Sequence, residues 1–245
     1  MEVFDLLTQH VSVRDFEATP LSAATKQQLL TAAHAGSSSN FVQATSIIEV
    51  QASALRNELA EISQSAAYVK KSGVFYVFVA DLYRQAHLLE AAGQAVAPVT
   101  NLESFLVSVV DTTIAAENMA VAAEAQGLGI CFIGGLRNDL ARVAELLHLP
   151  KYTVPLFGLT IGVPRTKNGV KPRLPLANFT AVDTYPAAQF TALGDYDEVV
   201  RDYYLQRPSH PKATDWTTTQ RDFFATLRRP AVAAFVKAQG FELTR

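Results

Sequence analysis

Three short stretches of this 245-residue chain carry side chains suited to holding an anion. His10, Ser12 and Arg14 alternate, so in extended backbone all three point to one side. Lys171 and Arg173 do the same, with Pro172 stiffening the spacing. Ser37, Ser38, Ser39 and Asn40 form a polar run after a helical stretch. Hydroxyls and forked guanidinium groups match phosphate oxygens, so two cationic triplets and a serine loop suit a phosphate together with a flat, electron-accepting ring. Taken singly, each has a plainer reading. Residues 37–40 have the composition of a loop that stops a helix, and Lys171 and Arg173 that of a solvated surface loop.

Other chemistries fit poorly. Gly127 and Gly129 begin a G-x-G-x-x-G, but Phe132 stands where the third glycine is needed, and the glycines lie between a helix and a strand rather than after a strand. No G-x-S-x-G nucleophile elbow occurs. The histidines at 10, 34, 87, 148 and 210 show no i,i+4 pair and no HExxH spacing, so no metal site is expected. One cysteine, Cys131, excludes an internal disulfide, and its neighbours Ile130 and Phe132 suit a buried thiol. With 49% hydrophobic and 18% charged residues and a net charge of −2, the chain gives no electrostatic reason to expect nucleic acid or a membrane surface as partner. No signal-peptide order of charged, apolar and small residues opens it, so a cytoplasmic protein is expected.

The elements that must position these groups centre on residues 102–137. Leu102, Phe105, Leu106, Val109, Val110, Ile114, Met119 and Ala123 keep helical spacing, with Val107, Ala115, Ala116 and Val121 on other faces. The spacing predicts a long helix buried on most of its circumference, by a sheet and other helices or by a second subunit. A thin polar stripe of Ser104, Ser108, Asp111 and Asn118 follows one side, and Gly127 and Gly129 end the helix. ICFIGG then reads as a strand stopping at paired glycines. Helices are predicted at 4–10, from Leu21 to Gly36 with Ser22 as cap, and at 54–62, 83–92 and 140–147. TSIIEV, GVFYVFVA and PLFGLTIG read as strands, the second central in its sheet and the third unbroken or split around Gly158. At least four strands between helices make the chain α+β or α/β. From Pro164 the pattern changes to a basic surface loop at 165–175, a strand at 177–185 without a local partner, and helices at 197–205, 218–227 and 231–239.

Taken in order, HVSVRDF at 10–16, SSSNFVQ at 37–43, GLGICFIGGLRN at 127–138, LPKYTVPLFGLTIGVP at 149–164, KPRLP at 171–175 and YDEVVRDYYLQR at 196–207 resemble the nitroreductase family. The branch is that of oxygen-insensitive NADPH nitroreductases and FMN reductases. The resemblance implies a single mixed α+β domain over residues 1–245 and an intertwined homodimer packed on the central helix. It also implies a C-terminal extension, about 164–245, that wraps the partner, and one FMN at each of two sites built from both subunits. NADPH would be the co-substrate and nitroaromatics, quinones or flavins the acceptors, served in ping-pong order. A flavin-binding storage or sensing protein with little turnover is the alternative.

Carried over residue by residue, His10, Ser12, Lys171 and Arg173 match the positions that hold the FMN phosphate and ribityl end. Arg14 matches the cation near N1 and O2 of the ring, where it would stabilise negative charge on the reduced flavin. Ser38 and Ser39 match the serine loop beside the flavin, and Ile133, Gly134 and Gly135 the segment whose backbone approaches the ring. Phe41, Glu103, Asn138 and Arg229 match the substrate face. Arg207 matches the arginine for the NADPH 2′-phosphate, and Lys212 replaces a second arginine, keeping charge but losing the fork. No catalytic side chain is implied, because the flavin carries the chemistry. Two positions depart from the family's pattern: Val11 stands where it writes arginine, and Ala66 where it places a glutamine at the flavin's pyrimidine edge.

Overall fold

A computed structural model describes residues 2–208 and 210–244. The chain divides into two compact units, one of residues up to Asn168 together with those from Arg229 onward, the other Gly169–Arg228.

In chain order the first unit contains α1 (Val3–Thr8), β1 (Asp15–Phe16), α2 (Ala23–His34), β2 (Thr45–Glu49), α3 (Ser53–Ile62) and α4 (Ala66–Val69). There follow β3 (Val74–Asp81), α5 (Tyr83–Ala91), α6 (Leu102–Ala125), β4 (Gly129–Ile133), α7 (Leu140–Leu146), β5 (Thr153–Gly162) and β6 (Pro164–Thr166). The second unit adds α8 (Ala187–Thr191), α9 (Gly194–Leu205) and α10 (Trp216–Phe224), and α11 (Val232–Ala238) returns to the first.

The architecture is mixed α+β. An antiparallel sheet of order β2-β3-β5-β4 puts β3 in the interior, as the seven consecutive apolar residues Val74 to Ala80 demand. Val74, Tyr76 and Phe78 on one face pack with Leu29 and Ala33 of α2 and Met119 and Ala123 of α6. Phe75, Val77 and Val79 on the other pack with Leu59, Val69 and Val143 of the smaller helices. PLFGLTIG lies within one ten-residue strand, and the irregularity in its pairing falls opposite Phe78 and Val79. Beside the main sheet, β1 and β6 pair antiparallel, which turns the start of the expected surface loop into a short strand.

The 24-residue α6 is capped by Asn101, whose side chain accepts from the Ser104 amide at 2.8 Å, and it ends before Gly127 at φ +78°. Its burial inverts the simple amphipathic picture. The polar Ser108, Asp111 and Thr112 are buried, whereas Leu102, Leu106 and Val110 form an exposed apolar stripe at 37%, 48% and 53%. The expectation of burial on most of the circumference therefore fails along this stripe within one chain.

The strand expected at 177–185 is absent. Leu176–Asn178 is a 3-10 turn, the Asn178 side-chain amide donates to the Gln189 and Ala192 carbonyls, and Thr180 Oγ1 donates back to the Leu176 carbonyl. These side-chain bonds give the backbone an alternative to a ladder.

Candidate functional site

In the first unit the 10–14 link runs beside β4. Ser12 bridges Ile130 in parallel and the Val13 amide donates to the Ile130 carbonyl at 2.8 Å. Val13 is buried against Gly129, where a Cβ would overlap its side chain, and the alternation leaves Ser12 half-buried and Arg14 exposed. His10 Nδ1 lies 2.8 Å from Glu124 Oε1 near the end of α6, which fixes the ring's orientation. Arg14 reaches the Cys131 thiol. Burial pushes that thiol's pKa up, and the Arg14 charge and hydrogen bond pull the other way.

β4 runs into a 3-10 turn, Gly134–Asn138, packed against the corner after α3. A Cβ on Gly135 would collide with the Ser63 carbonyl, so a side chain there would separate turn and corner. The same contact is locked by Asn138, whose Nδ2 donates to the Ile62 carbonyl at 3.0 Å while its Oδ1 accepts from Arg229 Nε at 2.9 Å. Two residues expected on the substrate face, 91 positions apart, thus meet directly. Arg137 donates to the Leu156 carbonyl, and burial first, then the Arg229 charge, lower its pKa. Ala66 begins α4 and packs into the core beside the corner.

The serine loop is organised by one buried carboxylate. Asp111, 3% exposed, accepts from Ser38 Oγ at 2.6 Å, from the Ala44 amide at 3.0 Å and from the Ser39 amide at 3.2 Å. Ser38 Oγ in turn accepts from the Gln43 amide at 2.7 Å. From the other side Arg84 donates to the Gln43 and Thr45 carbonyls and Gln85 to the Val42 carbonyl. Between these clamps Asn40, Phe41 and Gln43 sit at φ 47°, 60° and 52°, a left-handed region that bulky residues occupy only when their surroundings over-determine it. Phe41 projects at 82% exposure. A cleft of about 530 Å³ behind the loop is lined by Ser37, Ser38, Gln43, Arg84 and Asp111 among others. Glu103 is exposed in the first turn of α6. Among the described residues no hydrogen bond joins the serine loop to the 10–14 link or to the turn after β4.

The second unit carries the remaining cations. One face of α9, Tyr196, Val200 and Tyr204, lines a cleft of about 280 Å³ together with Lys171, Arg173 and Trp216. Tyr196 Oη donates to the Pro172 carbonyl at 3.1 Å; burial raises its pKa and the Arg173 charge draws it back. Lys171 Nζ donates to Tyr204 Oη at 3.1 Å, and the Arg207 guanidinium stands 5.7 Å from the centre of the same ring. Lys212 follows in an exposed loop. Among the described residues none of Lys171, Arg173, Arg207 and Lys212 takes part in an ion pair. Lys171 and Arg173 in one cleft, with Arg207 at the Tyr204 ring, offer donors suited to an anion.

The model of the nitroreductase family matches residues 7–163, and that of the family's C-terminal domain matches residues 171–244. The chain belongs to the nitroreductase family. An FMN reductase (NADPH) of Bacillus subtilis is 38% identical over 241 residues, 97% of each chain, and an oxygen-insensitive NADPH nitroreductase of Salmonella typhimurium is 35% identical over 97% of each. Among solved structures, a nitroreductase of B. subtilis superposes with a TM-score of 0.93 at 37% identity, covering 98% of this chain and 99% of that one. An NADPH:FMN oxidoreductase of Vibrio harveyi, complexed with NAD+, gives 0.86 at 33% identity over 98% of each chain.

Within this nitroreductase-family chain, sequence reasoning passed over Asp111, Glu124 and Tyr204. Asp111 left one trace, its place in the polar stripe of α6, and its partners lie 67 to 73 residues away. Glu124 and Tyr204 left none, since a helix-end glutamate and an amphipathic tyrosine are ordinary.

Because three donors converge on the Asp111 carboxylate, Asp111→Asn cannot substitute: its NH2 would face a backbone amide. We expect Asp111→Ala to lower unfolding free energy by about 3 kcal/mol, and Asp111→Asn by at least half as much. Urea denaturation measures both. Hydrogen exchange should accelerate at the Ser39 and Ala44 amides first; uniform acceleration across the protein would refute the local role.

Proposed function

We propose that this chain is an FMN-dependent oxidoreductase that passes two electrons from NADPH to nitroaromatics, quinones or flavins, acting as a cytoplasmic homodimer. The observation that carries the reading is a cleft lined by Lys171 and Arg173, with Arg207 at the ring of Tyr204 that also lines it, in a chain similar along its length to an FMN reductase (NADPH). The residues present fit the cofactor. Lys171 and Arg173 would hold its phosphate end; His10 and Ser12 match further donors to that end by resemblance, and Glu124 keeps His10 oriented. Arg14 would supply the cation that stabilises negative charge on the reduced ring. Ile133, Gly134 and Gly135 offer backbone rather than side chains, and Asn138 keeps that turn in place. Ser38 and Ser39, set by Asp111, complete the flavin environment.

Bound FMN supplies the two-electron chemistry, so no side chain of this protein needs to act as acid or base. Arg207 and Lys212 bind the 2′-phosphate of NADPH. Phe41, Glu103, Asn138 and Arg229 line the substrate face, which NADPH and acceptor occupy in turn, in ping-pong order. The exposed stripe of Leu102, Leu106 and Val110 supports a dimer packed on α6, because a contiguous apolar helix face in water favours a partner. The C-terminal extension from about residue 164 wraps that partner in this reading.

Absorbance of the purified protein with FMN, followed by anaerobic NADPH, tests the reading. We expect a flavin band that bleaches on mixing and returns with a quinone. A bound flavin that stays oxidised would instead make the chain a storage or sensing protein, with Val11 and Ala66 as the altered positions. Arg207→Ala should raise KM for NADPH about tenfold more than for NADH, since only NADPH carries the 2′-phosphate; equal effects would move the nicotinamide site elsewhere. Lys171→Ala combined with Arg173→Ala should release FMN on gel filtration, and full retention of yellow colour would place the phosphate on other residues.

A further inference from the structure

We infer that Tyr204 is a positioning residue shared by the two phosphate clamps, holding Lys171 through its hydroxyl, Arg207 through its ring and Lys212 through its backbone carbonyl. The inference rests on the assignment of Lys171 to the flavin phosphate and of Arg207 and Lys212 to the NADPH 2′-phosphate.

Each contact uses a different part of the residue. Lys171 Nζ donates to Tyr204 Oη at 3.1 Å and lies 5.3 Å from the ring centre, so the hydroxyl is the nearer contact. Arg207 Cζ stands 5.7 Å from that centre, within the range where the negative face of an aromatic ring attracts a guanidinium. The Lys212 amide donates to the Tyr204 carbonyl at 3.1 Å, which closes the chain back onto the end of α9. The ring is itself held by an edge contact with Tyr203, 5.5 Å between centres, and Tyr203 Oη reaches the Gly169 carbonyl at 3.4 Å.

Long cationic side chains are the groups that lose most rotamer freedom when a phosphate orders them. A lysine and an arginine brought to one ring also repel each other, and among the described residues neither takes part in an ion pair. Tyr204 supplies a phenol oxygen to one cation and a π face to the other, so both are pre-ordered before either phosphate arrives. Arg173 is handled separately, beside Tyr196 two turns earlier on α9. Tyr204 touches neither phosphate in this account; it acts through the cations.

The separation of contacts makes the inference testable. Tyr204→Phe removes only the hydroxyl and should weaken FMN binding to apoprotein about 3–10-fold, read by quenching of flavin fluorescence, while leaving the KM ratio of NADH to NADPH unchanged. Tyr204→Leu removes the ring as well and should in addition lower that ratio about threefold, with kcat for NADH unchanged at saturating FMN. Wild-type FMN affinity in Tyr204→Phe would overturn the inference, and this variant keeps the fold-bearing ring should the leucine variant misfold. A fall in the ratio in Tyr204→Phe would also overturn it, because the hydroxyl would then serve both clamps. The Lys171/Arg173 and Arg207 variants act as controls. If they behave as expected and both Tyr204 variants are silent, only the role of Tyr204 is lost; if they fail, the site assignment falls and the inference with it.

Discussion

A carboxylate placed in the middle of a helix that packs on a sheet is strongly destabilising unless its surroundings supply hydrogen bonds. Asp111 meets that condition with the serine loop. Its two oxygens take the Ser38 hydroxyl and the Ser39 and Ala44 amides, and the loop's own backbone needs those acceptors as much as the carboxylate needs the donors. The dependence is mutual: without the loop the core helix holds an unpaired charge, and without Asp111 the left-handed residues at 40–43 lose what holds them. A helix chosen for burial thereby determines the shape of a surface loop, and Phe41 at the tip owes its exposure to a charge beneath it.

The second unit solves a related problem by other means. Arg201 pairs with Asp215 there, but among the described residues Lys171 and Arg207 take part in no ion pair and stand instead at the ring of Tyr204. Neutral partners suit this task, since a carboxylate would compete with the phosphate for the same guanidinium. Tyr196 and Tyr204, eight residues apart on one face of α9, do the ordering for the 171–173 segment and for the chain after the helix.

Much of the architecture was legible from pattern. The unbroken apolar run 73–80 could only be an interior strand, and Ser22 and Gly36 bracketed α2 because capping and helix-stop chemistry is local. The extended reading of the 10–14 link also translated at its centre, where Ser12 bridges Ile130 and the Val13 amide donates to the Ile130 carbonyl. The strand expected at 177–185 failed for an equally local reason, invisible to periodicity: Asn178 and Thr180 spend their side chains on nearby carbonyls and turn the chain.

By itself the sequence determined the long helices and main-sheet strands of the first unit, the order of the anion-binding words and, through their resemblance, the family. Those features depend on spacing within a few residues, where backbone geometry leaves little choice. Only the tertiary structure decided which side of α6 is wet, that Asp111 anchors a loop some 70 residues away, that Asn138 and Arg229 meet, and that Lys171 and Arg207 share Tyr204. Each of these is a pairing between distant residues. Such pairings are settled by which buried polar groups find partners once the sheet has closed, a condition that acts on the whole chain and leaves no period in it.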